Sequence, residues 1–406
     1  MRIRLRLSDT NRVLLGLYGP TIIMSLGQGM VVPTIPALTS TFDVSAGLAA
    51  QIVTARMLGA VVALLPVGIL LDRFGRKPVL VGGPLLVATA SGLTAVAPVF
   101  AVLLLAQFLT GLGSSAWTIA RELAAVDVVR QDQRGRMMSG FHGMHSVGTA
   151  VGPVFGGVVT DSLGFRAVFW VYALMSLITL AVSIRIRETA QPRPRDPEPL
   201  LKIGRLSQVE PYFRTTFVVI TFNTFVAMMR GALITSLLPL YVGLQLGHSS
   251  TAVGTLFGIY GLVNVLMIAP TGVLSDKLGR KAVVVPSTFL ATLVFIAFPL
   301  ITGIAELSVL IVLTGIATGL ALGTMATYTY DVIPEHARAR LQTLRRLFGE
   351  MGGITGPILG GIIADAASPG AAFWAFVPLQ LVSGLAITFL ARESLHRDSA
   401  RARAVG

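Results

Sequence analysis

The sequence predicts an all-α polytopic membrane protein with twelve transmembrane helices in two pseudo-symmetric six-helix bundles. Three observations carry this expectation. The 406 residues are 53% hydrophobic and only 13% charged, with a mean hydropathy of +0.77, whereas a soluble domain carries about 25% charged residues. The apolar residues fall in runs long enough to span a bilayer, which takes about 20 residues each. The two halves of the chain also repeat one another at a constant offset. A soluble core could not hide this much apolar surface, because soluble chains split into domains beyond about 250–300 residues. Disorder is excluded by the same composition.

In chain order the apolar runs fall at 13–38, 46–71, 78–98, 101–126, 137–160, 167–187, 213–242, 249–274, 282–303, 307–332, 341–364 and 371–391. An even number of spans puts both termini on one side, and the basic residues choose it. Arg2, Arg4, Arg6 and Arg12, then Arg73, Arg76 and Lys77, then Arg130, Arg134 and Arg136 all fall on that side. So do Lys277, Arg280 and Lys281, the central loop and the C-terminal tail, whereas the opposite side has Arg166 alone among acids such as Asp43, Asp161, Glu306 and Asp365. The termini are therefore expected in the cytoplasm, with the chain in the plasma (inner) membrane. The net charge of +13 reads as topology and not as a nucleic-acid footprint. The basic start MRIRLRLSDTNR resembles a signal peptide, but the apolar run behind it is too long and is expected to stay as the first helix.

Residues 188–211, with Pro192, Pro194, Pro197, Pro199 and Pro211, read as a semi-extended cytoplasmic linker. They divide an N-terminal bundle at 1–187 from a C-terminal bundle with its tail at 212–406.

The repeat offset is 204 residues. It carries Gly68, Asp72, Gly75, Arg76 and Lys77 onto Gly272, Asp276, Gly279, Arg280 and Lys281, and Asp127 onto Asp331. It also carries Gly152, Pro153, Gly156 and Gly157 onto Gly356, Pro357, Gly360 and Gly361. Two parallel repeats of this length are a signature of carriers that rock their halves about a central site.

GILLDRFGRK at 68–77 and GVLSDKLGRK at 272–281 resemble the signature loop of the major facilitator superfamily, and GTAVGPVFGG at 148–157 resembles the fifth-helix motif of its drug–proton antiporter branch. The resemblance implies the major facilitator fold. It implies that Asp72 meets the start of the eleventh helix, that Arg76 pairs with Asp127, and that Arg280 pairs with Asp331, latching the cytoplasmic side. The alternative is a basic loop that only sets topology. In the fifth-helix motif, Gly148, Gly152, Gly156 and Gly157 allow close helix approach and Pro153 removes a backbone donor. The glycines of the loops are expected to allow a tight reversal and close helix contact.

Ionisable residues inside the spans carry the remaining chemistry, because charge there is costly. Arg56 lies about 18 Å along its helix from Gly68, and Glu350 about 15 Å from Arg340. The family architecture implies that the two pair in at least one state, so that protonating Glu350 would act as a switch. A local pair of Glu350 with Arg346, four residues earlier, is the alternative. Glu122 is a second candidate for protonation, or else a snorkelling charge. Its neighbour Arg121 is expected to point away from it, as adjacent helical residues do. His142 and His145, one turn apart, could relay protons or make helix contacts. Gln28, Arg56, Arg121, Asn223, Arg230, Asn264, Tyr328 and Tyr330 are candidate cavity residues.

Two departures from the drug-antiporter pattern stand out. Gln107 occupies the outer half of the fourth helix where an Arg is usual, and the first helix has no acid in its apolar span.

The expected function is secondary transport: proton-coupled export of hydrophobic or amphiphilic small molecules by alternating access, with a carrier of organic anions, zwitterions or lipid-like amphiphiles as the alternative. A monomer is expected, working with protons, a small-molecule substrate and the lipid bilayer. No enzyme, metal or cofactor is expected: HExxH, GxSxG and GxxxxGK[ST] are all absent.

Overall fold

A lipid-embedded backbone must satisfy its own polar groups, and a chain of continuous apolar runs does so by forming helices. The structure, a computed structural model, describes residues 7–129, 133–189 and 206–395, with the side chains of 7–15, 135, 136 and 339 left aside. Every regular element among them is helical. In order these are α1 Leu7–Met30, α2 Ile35–Phe42, α3 Ala46–Phe74, α4 Arg76–Val96, α5 Phe100–Val128, α6 Arg134–Leu163 and α7 Phe165–Arg185. Then come α8 Arg214–Leu240, α9 Ser250–Leu278, α10 Arg280–Ala297, α11 Ile304–Val332, α12 Arg338–Ala366, α13 Pro369–Ala375 and α14 Val377–Leu390.

Among the described residues eleven stretches are long and apolar enough to cross a membrane. The remaining long helix, α6, has 30 residues, and its hydropathy is lowered by His142, His145 and a series of glycines. Two apolar runs each fold as a pair of helices. A tight turn at Val32–Thr34, carrying Pro33, separates α1 from α2, and Pro378 starts α14 just after α13. Proline lacks the N–H that would continue the helical ladder, so both breaks follow from the chain itself.

The chain divides into two compact units, one of residues 1–200 with 242–258 and the other of 201–241 with 259–406. In the first, α1 packs on α6 and α7, and α4 on α5 and α7. In the second, α8 packs on α12 and α14, and α10 on α11 and α14. Shifting the first set by one repeat gives the second, so the sequence repeat is a repeat of packing. Segment 242–258, which the sequence groups with the second half, clusters with the first unit. Large apolar side chains such as Leu65, Ile69, Leu262 and Leu266 are exposed, while Thr21, Ser25, Thr110 and Ser176 are buried. That is the inverse of a soluble protein: small polar residues let helices approach, and the Leu and Ile side chains suit a lipid surround.

Of the expected linker, 190–205 lies outside the described residues, as does the tail beyond 395. Residues 206–211 are not extended. They lie in two short turns, Leu206–Gln208 and Pro211–Phe213, with Val209 and Phe213 buried against Phe217, Tyr328 and Val332. Apolar side chains inside a proline-rich stretch thus dock on the second unit.

Candidate functional site

The chain reverses between α3 and α4 at Gly75, whose φ of +86° lies in the left-handed region, and between α9 and α10 at Gly279, with φ of +105°. Only glycine takes such values without a Cβ penalty. Gly68 and Gly272 play no comparable part: a Cβ on either would meet nothing within 4 Å, so the expected close contact at these two positions is absent.

The reversals set up two matching clamps. Arg76 Nε donates to Asp127 Oδ2 at 2.9 Å, and Arg280 Nε donates to Asp331 Oδ2 at 3.0 Å. Each clamp has a further acid that lies beyond the sequence motif. Glu188 accepts from the backbone N–H of Arg76 at 3.0 Å and of Lys77 at 2.9 Å. Glu393 accepts from Arg280 at 2.9 Å and Lys281 at 3.0 Å. A carboxylate here satisfies two orphan donors and meets the positive end of the helix dipole. The two copies then differ. Arg280 also bonds Asp276 at 2.6 Å, and Asp331 accepts from Ser394 at 2.9 Å, while Asp72 is exposed. Lys281 Nζ donates to the carbonyl of Ala391 at 2.9 Å.

The glycine motif of α6 presents two faces. A Cβ on Gly152 would lie 2.4 Å from the carbonyl oxygen of Leu26, and one on Gly156 would lie 2.3 Å from that of Met30; Gly148 faces Ser25. These three bring α6 against α1. Gly157 faces the other way, onto Ser250 at the start of α9, where Gly254 in turn approaches the carbonyl of Pro153. Just beyond, Asp161 accepts from the backbone N–H of Ser250 at 3.0 Å and Thr251 at 2.7 Å. This apposition explains why 242–258 belongs to the first unit. In the second unit Gly352 and Gly356 bring α12 against Phe225 and Met229 of α8 in the same manner.

Ionisable groups gather inside the first unit. Arg121 of α5 is buried, and its guanidinium lies 4.6 Å from the Phe141 ring centroid and 5.1 Å from that of Trp117. It donates to Thr21 Oγ1 at 3.0 Å and to Glu122 Oε1 at 3.3 Å. The last contact corrects the expectation that Arg121 and Glu122 diverge: their Cβ atoms do, but an Arg side chain is long enough to curl back. His145 of α6 is within electrostatic reach of Arg121, His142 and Arg56, and Arg56 of α3 neighbours Tyr172 of α7. Both His142 and His145 are exposed and Gln28 is half-buried. Gln107 is buried and ties α5 to α4 through Thr94 at 3.1 Å.

In the second unit Arg346 Nε lies 3.7 Å from Glu350 Oε1 along α12, the local pairing that the spacing allowed. Arg345 donates to Thr224 at 3.1 Å. Arg230 is buried beside Tyr260. Three proposed cavity residues have other surroundings. Asn223 is buried and its amide donates to Ser383 at 2.8 Å and Thr288 at 3.4 Å, so it joins three helices. Tyr328 is fully buried with its hydroxyl on the carbonyl of Arg392. Tyr330 is exposed under Arg338, 5.5 Å from the ring centroid. Burial sets Asn223 and Tyr328 apart from cavity-lining groups, and sequence does not report it. Asn264 is half-buried.

Over 332 residues the chain is 24% identical to the multidrug resistance protein MdtL of Shewanella oneidensis, covering 81% of this chain and 83% of that protein. It is 30% identical to an uncharacterised MFS-type transporter of Mycobacterium tuberculosis over 196 residues, 47% of this chain, and that match takes in only 27% of the mycobacterial protein. A D-xylose–proton symporter superposes with a TM-score of 0.75 at 14% identity, over 95% of this chain and 98% of the other, a likeness of fold. The Major Facilitator Superfamily model matches residues 20–241 and again 220–405. With one match on each repeat and a clamp in each, the chain belongs to the Major Facilitator Superfamily, as a multi-pass membrane transporter and not an enzyme.

Proposed function

We propose that this transporter is a proton-coupled exporter of hydrophobic or amphiphilic small molecules working by alternating access. The observation that carries the coupling is a pair of carboxylates inside the spans. Each unit holds one partly shielded Glu against an Arg: Glu122 with Arg121 at 3.3 Å, and Glu350 with Arg346 at 3.7 Å. Protonating either Glu removes its attraction for the Arg and frees the guanidinium. Each Glu can therefore exchange a proton against a change in the local charge that cargo meets. The relative named for multidrug resistance supports export.

The clamps at Arg76 and Arg280 suit a gate, because breaking a shielded ion pair is costly and the cost can be recovered when the pair reforms. The basic surplus on the loop side supports cytoplasmic termini in the plasma membrane. We take the working unit to be a monomer, since each chain carries both repeats.

The test is transport by Glu122→Gln and Glu350→Gln in proteoliposomes with an acid interior. At least one variant should lose gradient-driven accumulation of cargo while keeping equilibrium exchange. Full coupled transport by both would reject these carboxylates as the coupling groups.

A further inference from the structure

The two clamps match in their ion pairs, but the second carries an extra piece of chain across it. Beyond α14, residues 391–395 lie over the start of α10 and the end of α11. Within this segment Glu393 accepts from the backbone N–H groups of Arg280 and Lys281 at 2.9 and 3.0 Å, and Ser394 Oγ donates to Asp331 Oδ2 at 2.9 Å. Arg280 and Asp331 are the two partners of the clamp, so the segment grips both sides of one ion pair. Lys281 Nζ adds a bond to the carbonyl of Ala391 at 2.9 Å, and the Tyr328 hydroxyl donates to that of Arg392.

The first unit shows a clamp held less firmly. There Glu188 caps the start of α4 as Glu393 caps that of α10, but the hydroxyl of the next residue, Thr189, is buried without a partner among the described residues. The repeat counterpart of Tyr328 is Ala124, which has no hydroxyl to give.

The base of the segment is held by the end of the linker. The Arg392 guanidinium lies 3.8 Å from the centroid of the Tyr212 ring, an attractive contact between a cation and an aromatic face. The Arg392 backbone N–H donates to Thr216 Oγ1 at 3.0 Å. Tyr212 is itself kept in place. Phe213 beside it is buried in one apolar cluster with Phe217, Tyr328 and Ala391. Arg214 draws the linker end inward by donating to the carbonyls of Val209 at 3.1 Å and Ser207 at 3.3 Å.

We propose that residues 391–395 form a strap that locks the second clamp, with the Tyr212 ring as its catch. Arg280 and Asp331 separate only when the strap lifts, because Glu393 holds one partner and Ser394 the other. Arg76 and Asp127 separate without such a step. The second clamp therefore opens as one cooperative unit with the strap and the linker end. Displacing Tyr212 unlocks it from a distance. The device lies within the second unit and is independent of which cargo is carried and of proton coupling.

Amide hydrogen exchange, read residue by residue on the full chain in nanodiscs, tests this. In the unaltered protein the amides of Arg392 and Ser394 should match those of Arg280 and Lys281 in protection to within about fivefold, because one opening exposes all four. Tyr212→Leu keeps apolar bulk but removes the ring, and should speed exchange at Arg280 and Lys281 about tenfold. Tyr212→Phe keeps the ring and should leave both rates unchanged. Ser394→Ala should speed the same two amides about tenfold. Arg76 and Lys77 should be unaffected in every variant. Strap amides protected more than about fivefold less than those of Arg280 and Lys281 would show the strap fraying by itself and overturn the proposal. Unchanged exchange at Arg280 and Lys281 in Tyr212→Leu would overturn it too. So would equal acceleration at Arg76 and Lys77, since the whole fold would then have loosened. The first comparison uses the unaltered protein, so it decides the matter even if a variant fails to fold.

Discussion

Arg76 Nε lies 2.9 Å from Asp127 Oδ2, with only 10% of the Arg side chain and 8% of the Asp side chain exposed. Its counterpart, Arg280 with Asp331, is nearly as short at 3.0 Å, but Asp331 is 27% exposed. The two clamps share geometry and differ in shielding and in the number of partners.

That difference sets the first prediction. Asp127→Ala leaves a shielded guanidinium without its carboxylate, which costs about 3–5 kcal/mol. Asp331→Ala leaves Arg280 its bond to Asp276, so its effect should be smaller. Thermal unfolding of the purified variants checks the order. Equal loss in both would show that shielding does not govern the clamps.

Glu188 and Glu393 make the second. Replacing either with Gln sets an amide N–H against a backbone N–H and removes a charge from the helix start, for a loss of about 1–2 kcal/mol each. Hydrogen exchange should speed at the amides of Arg76 and Lys77 in Glu188→Gln, and at those of Arg280 and Lys281 in Glu393→Gln. Unchanged exchange at both pairs would contradict the capping role.

The glycines of α6 supply the third. Gly156→Ala puts a Cβ 2.3 Å from the Met30 carbonyl oxygen, and a backbone atom cannot step aside as a side chain end can. Separating α1 from α6 should cost about 1–3 kcal/mol. Gly143→Ala, with nothing within 4 Å, should be neutral or mildly stabilising, since Ala is the better helix former. Melting temperatures of the two variants decide it.

The fourth concerns pH. Asp161 lies one residue past the apolar run that ends at 160. Partial burial pushes its carboxyl up, but hydrogen bonds from Thr251 and Ser250 outweigh this and hold it below the ordinary carboxylate range. A carboxyl lowered in the folded state stabilises above its unfolded value, near 3.8, and loses that contribution as pH falls through the folded one. The melting difference between the protein and Asp161→Asn should therefore be constant at neutral pH and shrink below about pH 4. A difference that grows on acidification would have the wrong sign.

Much of the fold was legible because periodicity and repetition are properties of the chain. The apolar runs located the long helices, and the offset of 204 brought Arg76 and Arg280 into equivalent places. Glu188 and Glu393 escaped notice for a simple reason: they stand 205 residues apart, one out of register, in segments that read as polar flanks. Arg121 with Glu122 escaped because spacing rules describe Cβ directions and not the reach of a guanidinium. Asn223 and Tyr328 looked like cavity groups because a polar residue within a span reads the same whether it faces a cavity or a neighbouring helix. The cationic cluster itself draws on α3, α5 and α6, so packing alone assembles it.

The central claim is proton-coupled transport, and the most direct measurement is cargo flux in proteoliposomes with and without an imposed pH gradient. Naphthoate and ethidium serve as cargo probes of opposite charge. An acid interior should drive accumulation of at least one of them, and a protonophore that collapses the gradient should abolish it. Flux of every cargo at the same rate with the gradient present and collapsed would contradict the account.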